Sequence, residues 1–335
     1  MAKARSVSYK ILYDGAEVGL SESCESISYT DNSSGVSDEI TLNLEDRATG
    51  WAMNSFIPEK EHDLDVTLYF NDWNREGETL EYHCGNFTLD DITYSGGSSG
   101  HKCVIKGVSV PASQSFQTCR ASKLWKKVTV KQIAEEFKQK YGMADLYYWA
   151  AEPVIEKVEQ DEQTDSEFLY DLCSSQGLFL KIYKKALVIF DKVQYEGRGV
   201  TAKFKESDLE DWTWNSTLNG TYTGAKISYT HPKKKKTITV LVGQEPRVLT
   251  INEKADNEAE ALRTAAAKIN EENEKAVTLE FTTLGNPDIV ATCNIEITDM
   301  GRISGKYFVD KVSHSLSGSS GHSMTVSGYQ IFERL

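Results

Sequence analysis

A mainly β fold interrupted by an α+β segment is what this sequence predicts, on three observations. The first is a duplicated stretch. Gly85–Gly107, GNFTLDDITYSGGSSGHKCVIKG, returns as Gly305–Gly328, GKYFVDKVSHSLSGSSGHSMTVSG. Gly85, Phe87, Leu89, Asp90, Ile92 and Ser95 answer to Gly305, Tyr307, Val309, Asp310, Val312 and Ser315. After one inserted residue, Ser98-Ser99-Gly100-His101 answers to Ser319-Ser320-Gly321-His322, and Gly107 to Gly328. Each copy reads as a β-hairpin. Phe87, Leu89 and Ile92 form an apolar face with a one-residue slip, a Gly/Ser loop follows, and Cys103 and Ile105 alternate with polar neighbours. The second observation is a fainter echo. Ile27-Ser28-Tyr29-Thr30 returns as Ile227-Ser228-Tyr229-Thr230, and each precedes an alternating strand: Ile40, Leu42, Leu44 and Ile238, Val240, Val242. The third is a pair of helix starts lying between the copies. Two echoes in one order predict two copies of one β domain. Convergent hairpins are the alternative, and the matched polar loop residues, which core packing does not demand, weigh against it.

Taken in order, residues 1–112 are expected to form the first β domain. Val7 to Tyr13 reads as a strand ending in an Asp14-Gly15 turn. Leu64, Val66, Leu68 and Phe70 alternate with Asp63, Asp65, Thr67 and Tyr69, the signature of a half-buried strand. Asn71 to Glu78 is a polar hairpin loop with Trp73 at its tip, either packed on its own strand or exposed for a partner. Pro111 marks a boundary, and residues 113–200 form the α+β middle. There Thr129 with Gln132 makes a capping box. Val130, Ile133, Ala134, Phe137 and Tyr141 follow on one face, and Gly142 ends the helix. Thr164 with Glu167 repeats the device ahead of Phe168, Leu169, Leu172 and Cys173. Leu178 to Ile182, a Lys184-Lys185 turn and Leu187 to Phe190 make a hairpin.

Residues 201–335 are expected to form the second β domain, with a helical insertion at about 254–275. Trp212 and Trp214 point to one face, as core or interface residues rather than a sugar platform. Lys233 to Lys236 reads as a solvated hairpin tip, with nucleic-acid contact as the alternative. Arg247 to Ile251 is strand-like. A helix over 256–273 places Ala259, Leu262, Ala266 and Ile269 on the side expected to pack. Gly285-Asn286-Pro287-Asp288 is a turn, and Ile289 to Ile297 a strand leading into the second hairpin.

Composition excludes several classes. A formal net charge of −13 disfavours a general nucleic-acid binder. Apolar runs such as Leu187 to Phe190 are strand-sized, so no membrane span is expected. The start, Met1-Ala2-Lys3-Ala4-Arg5, lacks the apolar core of a signal peptide, which predicts synthesis in a cytoplasm. The six cysteines form no CxxC pair. Cys84, Cys103, Cys173 and Cys293 lie in apolar patterns and are expected to be buried free thiols. His83 and Cys84, adjacent in a strand, face opposite ways and cannot share a metal. No HExxH, GxSxG or Cys–His signature is present, so catalytic, cofactor-binding and metal residues are all expected to be none. Asp90, Asp91 and Asp310 recur at matching hairpin positions, which favours fold maintenance over catalysis.

The order of these signals resembles the baseplate hub proteins of contractile phage tails, the late control D family. That family is related to the T-even phage hub and to the first part of type VI secretion spike proteins. The resemblance rests on Tyr9-Lys10-Ile11, Asp14-Gly15 and Ser37 to Asp46 at the start. In the middle it rests on Gln160-Asp161, Asp165 to Leu169, Gly177-Leu178 and Leu187-Val188-Ile189. At the end it rests on the alanine-rich helix from Ala259, Gly285-Asn286-Pro287, Gly305 to Val309 and His314. It looks most like the hubs of Gram-positive phages and phage-tail-like bacteriocins. The resemblance implies two similar β-barrel domains per chain, and three chains in a pseudo-sixfold ring. Such a ring adapts a threefold central spike to a sixfold tail tube and lines the channel. Implied partners are a homotrimer, a central spike protein, a tail tube protein, a tape measure protein and baseplate wedge proteins, with no specific nucleic-acid binding. The implied location is a virion tail baseplate or tail-like particle assembled in a bacterial cytoplasm. The chain stops at Leu335, so the spike is expected as a separate polypeptide. Acidic residues facing the lumen would let DNA or an effector slide. The competing readings are a tail-associated peptidoglycan hydrolase and a cell-wall-binding module.

Overall fold

A computed structural model describes residues 4–46, 58–98, 100–110, 115–231, 236–253, 255, 257–318 and 321–335. Its first six strands are β1 (Ser6–Tyr13), β2 (Cys24–Asn32), β3 (Glu39–Asp46), β4 (Asp63–Asn71), β5 (Thr79–Gly97) and β6 (Gly100–Val108). Period-2 alternation dictates them: Leu64, Val66, Leu68 and Phe70 are buried together with Ile40, Leu42 and Leu44. Trp73 is also buried, with its ring against Phe70 at 4.9 Å. Packing on its own strand therefore wins over exposure, because a tight Asp72–Gly77 turn folds the indole back.

The middle segment adds β7 (Arg120–Val128), helix α1 (Val130–Tyr141), β8 (Leu146–Trp149), β9 (Ile155–Thr164), helix α2 (Asp165–Ser175), β10 (Leu178–Tyr183) and β11 (Ala186–Asp191). Both capping boxes are in place. The Thr129 and Thr164 hydroxyls accept from the amides of Gln132 and Glu167, whose side chains accept in return from the two threonine amides. Gly142 closes α1 in the left-handed conformation, at φ 61°. The β10–β11 hairpin turns at Lys184-Lys185, as the sequence predicts. A further antiparallel ribbon, β7 with β9, and a parallel pairing of β8 with β11 complete the segment.

The last part holds β12 (Ala202–Phe204), β13 (Asp211–Ser216), β14 (Gly224–His231), β15 (Lys236–Gly243), β16 (Val248–Ile251), helix α3 (Glu258–Asn273), β17 (Val277–Thr283), β18 (Asn294–Ile297), β19 (Gly305–Ser317) and β20 (Gly321–Gln330). Of the Lys233–Lys236 run, Lys233 to Lys235 lie outside the described residues and Lys236 opens β15. The strand expected from Ile289 begins only at Asn294, because Val290 to Cys293 form a turn closed by the Cys293 amide on the Val290 carbonyl. Helix α3 is rotated from its expected face. Ala261, Ala265 and Ile269 are buried, while Leu262 is exposed, as is Ala259. Alanines occupy several sides of this helix, so the one leucine misassigned the face.

The principal sheet runs β1-β4-β5-β6-β3-β2-β19-β20-β17-β13, with β18 on β19 and β12 on β18. The strands of both copies run in one continuous pairing path joined at β2–β19, and among the described residues no pairing closes either half into a barrel. The duplicated hairpins match register for register. Leu89 faces Gly107, Asp90 bulges out, and Ile92 faces Ile105; Val309 faces Gly328, Asp310 bulges out, and Val312 faces Val326. Phe87 lies opposite Leu64 of β4, and Tyr307 opposite Ile295 of β18, both fully buried.

The second echo is not a structural equivalence. Strand β3 borders β6 through Ile40–Gly107 and Leu42–Ile105; the strand bordering β20 in the same way is β17, through Leu279–Gly328 and Phe281–Val326. Strand β2 borders β3 through Tyr29–Ile40; β13 borders β17 through Trp214–Leu279. The counterpart of β2 is therefore β13. Ile227 belongs to β14, which sits in a separate sheet, β15-β14-β16, packed under α3. That sheet and helix are inserted between β13 and β17.

Candidate functional site

Two kinds of surface stand out: the seam where the copies join, and the strand edges left open. The seam is the pairing of β2 with β19, Asn32–Lys311 through Ser26–Ser317. Tyr29 and His314 stack across it with ring centroids 5.9 Å apart. His322 Nδ1 meets the Leu284 carbonyl at 3.1 Å, which makes that nitrogen the donor. His322 Nε2 then accepts from His314 Nδ1 at 3.1 Å. Burial, together with the neighbouring His322, pushes the His314 imidazole down to about 3.

At one end of the seam, Lys181 on β10 reaches two buried carboxylates, Asp31 and Asp38, and the Asn32 carbonyl at 2.6 Å. Asp31 also accepts from the Ala291 amide at 2.8 Å. Ser33 donates its amide to the Asp310 carbonyl at 2.8 Å and its hydroxyl to the Asp310 carboxylate. One ionic knot therefore ties the first copy, the middle segment and the second copy together. Burial pushes the Asp38 carboxyl up to about 7, against the pull of Lys181. Burial works against the Lys181 charge too, but the two carboxylates hold its ammonium above the ordinary lysine range. A second knot joins Glu196 to Arg334 and Tyr329, and Glu274 to Arg334 and Lys192, fastening the last residues to the middle segment and the insertion.

The sequence named no catalytic, cofactor or metal residue. Among the described residues, no group of three or more His, Cys, Asp or Glu is arranged to hold a metal. His83 is largely exposed and Cys84 buried, on opposite faces. Cys84, Cys103 and Cys173 are buried free thiols; Cys293 is only half-buried, since it lies in the turn before β18. Asp310 is a seam residue. Its counterpart Asp90 lines an open groove with Val36, Arg120, Gln163 and Tyr170. No described helix is long and apolar enough to cross a membrane.

Among the described residues, the unpaired edges of the principal sheet include β1 and β13, at its two ends, and the outer half of β5 beyond Leu89. Every β13 residue except Trp214 is exposed, Trp212 by 39%. Along β5, Asp91, Thr93, Ser95, Gly96 and Gly97 are exposed. Sequence reasoning singled out the tryptophans; the ionic knots and the free edges it missed, since they arise from pairings far apart in the chain.

Compared with known proteins, residues 201–327 match a family model described as YQBQ-like, which covers less than half of the chain. A search of curated proteins finds no match. The fold is shared with a tail protein from Neisseria meningitidis MC58, at 13% identity and TM-score 0.74 over 97% of each chain. It is shared with a 43 kDa tail protein of prophage MuSo2 from Shewanella oneidensis, at 15% identity and TM-score 0.72 over 98% of each chain. An E. coli component of the type VI secretion system, itself described as similar to the T4 bacteriophage tail proteins gp27 and gp5, aligns with TM-score 0.63 and 12% identity over 97% of this chain and 78% of its own. The chain has the fold of these tail proteins.

Proposed function

We propose that the protein is the structural hub of a contractile tail or tail-like injection particle, and that it does no chemistry of its own. Three chains form a ring of six like units, each chain giving two. That ring adapts a threefold central spike to a sixfold tail tube and lines the channel between them. The observation that carries this reading is the in-register duplication, bulges included, inside a chain whose whole length follows the tail-protein fold. Two near-equivalent units per chain let three molecules present six like docking positions. The implied partners are the spike, tube, tape measure and baseplate wedge proteins, and the implied location is the assembled tail. The formal charge of −13 per chain favours a lumen that a nucleic acid or acidic effector slides past.

Light scattering of the purified chain should give three chain masses, and images down the axis a six-lobed ring with a central opening. A chain that stays monomeric at every concentration, or that clears a suspension of bacterial cell walls, overturns the reading.

A further inference from the structure

We infer that the exposed edge of β13 pairs, antiparallel, with the exposed outer half of β5 in a second copy of this chain, in a register fixed by the seam already present within the chain. The seam supplies the template. Strand β19 meets β2 through Ser313–Thr30, His314–Tyr29, Ser315–Ser28 and Leu316–Ile27. The hairpin match turns β19 into β5, so that Thr93, Tyr94, Ser95 and Gly96 stand for Ser313, His314, Ser315 and Leu316. The pairing match turns β2 into β13, so that Asn215, Trp214, Thr213 and Trp212 stand for Thr30, Tyr29, Ser28 and Ile27. Repeating the internal seam between molecules thus sets Asn215 against Thr93, Trp214 against Tyr94, Thr213 against Ser95 and Trp212 against Gly96 of the next copy.

Four observations favour a second copy as the occupant. Among the described residues no strand pairs with either edge, and each is the counterpart of a strand that is covered. Val312, His314 and Leu316 of β19 are buried, while Ile92 and Tyr94 are only half-buried and Gly96 is exposed. Tyr29 stacks on His314 across the seam; the new pairing would set Trp214 on Tyr94, again two rings directly opposite. The acidic ends are kept apart, since Asp211 lies at the Gly97 end and Asp91 at the other. Finally, the Ser33–Asp310 contact maps onto Leu218 and Asp90. Leu218 is 77% exposed, and Asp90 lines an open groove. Long bare edges invite pairing. This one is head-to-tail, so it closes a ring or grows a filament. The inference takes the number of copies from the hub reading above; the edge pairing stands on its own.

The test is disulfide trapping in a Cys119→Ser background, which removes the exposed native thiol. Thr213→Cys with Ser95→Cys would place two thiols on directly opposed residues, about 4.5–5.5 Å apart at Cα, within disulfide reach. Mild oxidation should give covalent species of two and three chains on a non-reducing gel. Either single variant should give no such ladder, and neither should Thr213→Cys with Thr93→Cys, which is two residues out of register. All these positions are exposed, so the variants should fold as the parent does. Threefold assembly by light scattering without the cross-link would overturn the pairing and leave the hub reading intact. The cross-link in an assembly that is not threefold would uphold the pairing and overturn the ring of three. An uncross-linked monomer overturns both.

Discussion

Lys181 shows how much the junction of three chain segments asks of one side chain. It is the shared cationic partner of Asp31 and Asp38, each almost wholly buried, and bonds the Asn32 carbonyl. Removing one partner of a buried ion pair leaves an uncompensated charge, which costs about 3–5 kcal/mol. Lys181→Met should therefore lower the unfolding free energy from urea denaturation by an amount of that order, and Asp38→Asn in the same background should recover part of it. His314 sets a pH dependence. Its imidazole is held neutral by burial at about 3, below its ordinary 6.5. A depressed folded pKa means the unfolded chain binds the proton first. The contribution is complete above about pH 6.5 and is lost as pH falls toward 3, at a limiting rate of about 1.4 kcal/mol per pH unit. Urea unfolding followed between pH 7 and pH 4 should show this limb, and His314→Phe should flatten it. Neither role was legible in the sequence. Lys181 sits in an ordinary strand, LFLKIY, and His314 in a generic hairpin; the packing of β10 against the end of β2 gives the first its partners, and the pairing of β2 with β19 buries the second under Tyr29.

At the scale of elements, the bulged hairpins are the most tightly specified part of the chain. Opposite each bulge stands a glycine. A Cβ on Gly328 would lie 2.1 Å from the Phe308 carbonyl oxygen, and one on Gly107 would lie 2.9 Å from the Phe87 Cβ. Backbone cannot step aside as a side-chain tip can, so Gly328→Ala should destabilise by about 2–3 kcal/mol and Gly107→Ala by less, both read from urea midpoints. This constraint explains why the duplication was visible in the sequence: slip residue, loop residues and closing glycine are each demanded by backbone geometry. The fainter echo misled for the opposite reason. Ile-Ser-Tyr-Thr is simply a strand with one apolar face, and period-2 alternation fixes a face without naming a neighbour. The true counterparts, Ile27 to Tyr29 and Trp212 to Trp214, share no residue type. The helix caps were legible because they are local; the buried side of α3 was not, because alanine says little about which face is covered.

For the whole molecule, the consequence of equating β2 with β13 is that, from β13 onward, the second copy is the first from β2 onward with residues 217–276 let into one hairpin; its opening strand differs, β12 running parallel to β18 where β1 is antiparallel to β4. Ser216 and Val277 are directly paired across the site of insertion. The inserted sheet and helix have their own apolar cluster, built on Ala225, Ile227, Val240, Ile251, Ala261, Ala265 and Ile269. It is tied to the remainder by Glu274 to Lys192 and Arg334, by Asn270 to Leu335, and by packing of α3 against α2. Arg334 keeps Glu196 if Glu274 is lost. Replacing 217–276 by Asn-Gly, a two-residue turn suited to an antiparallel pair, should therefore leave a folded chain. Circular dichroism should show the loss of one long helix with the strand signal retained. Both edges assigned to self-association, β13 and outer β5, lie outside the excised stretch, so light scattering should give the same assembly as the intact chain. A well-folded excision product that no longer assembles would mean the inserted unit itself holds the copies together, and the strand edges would then lose their assigned role.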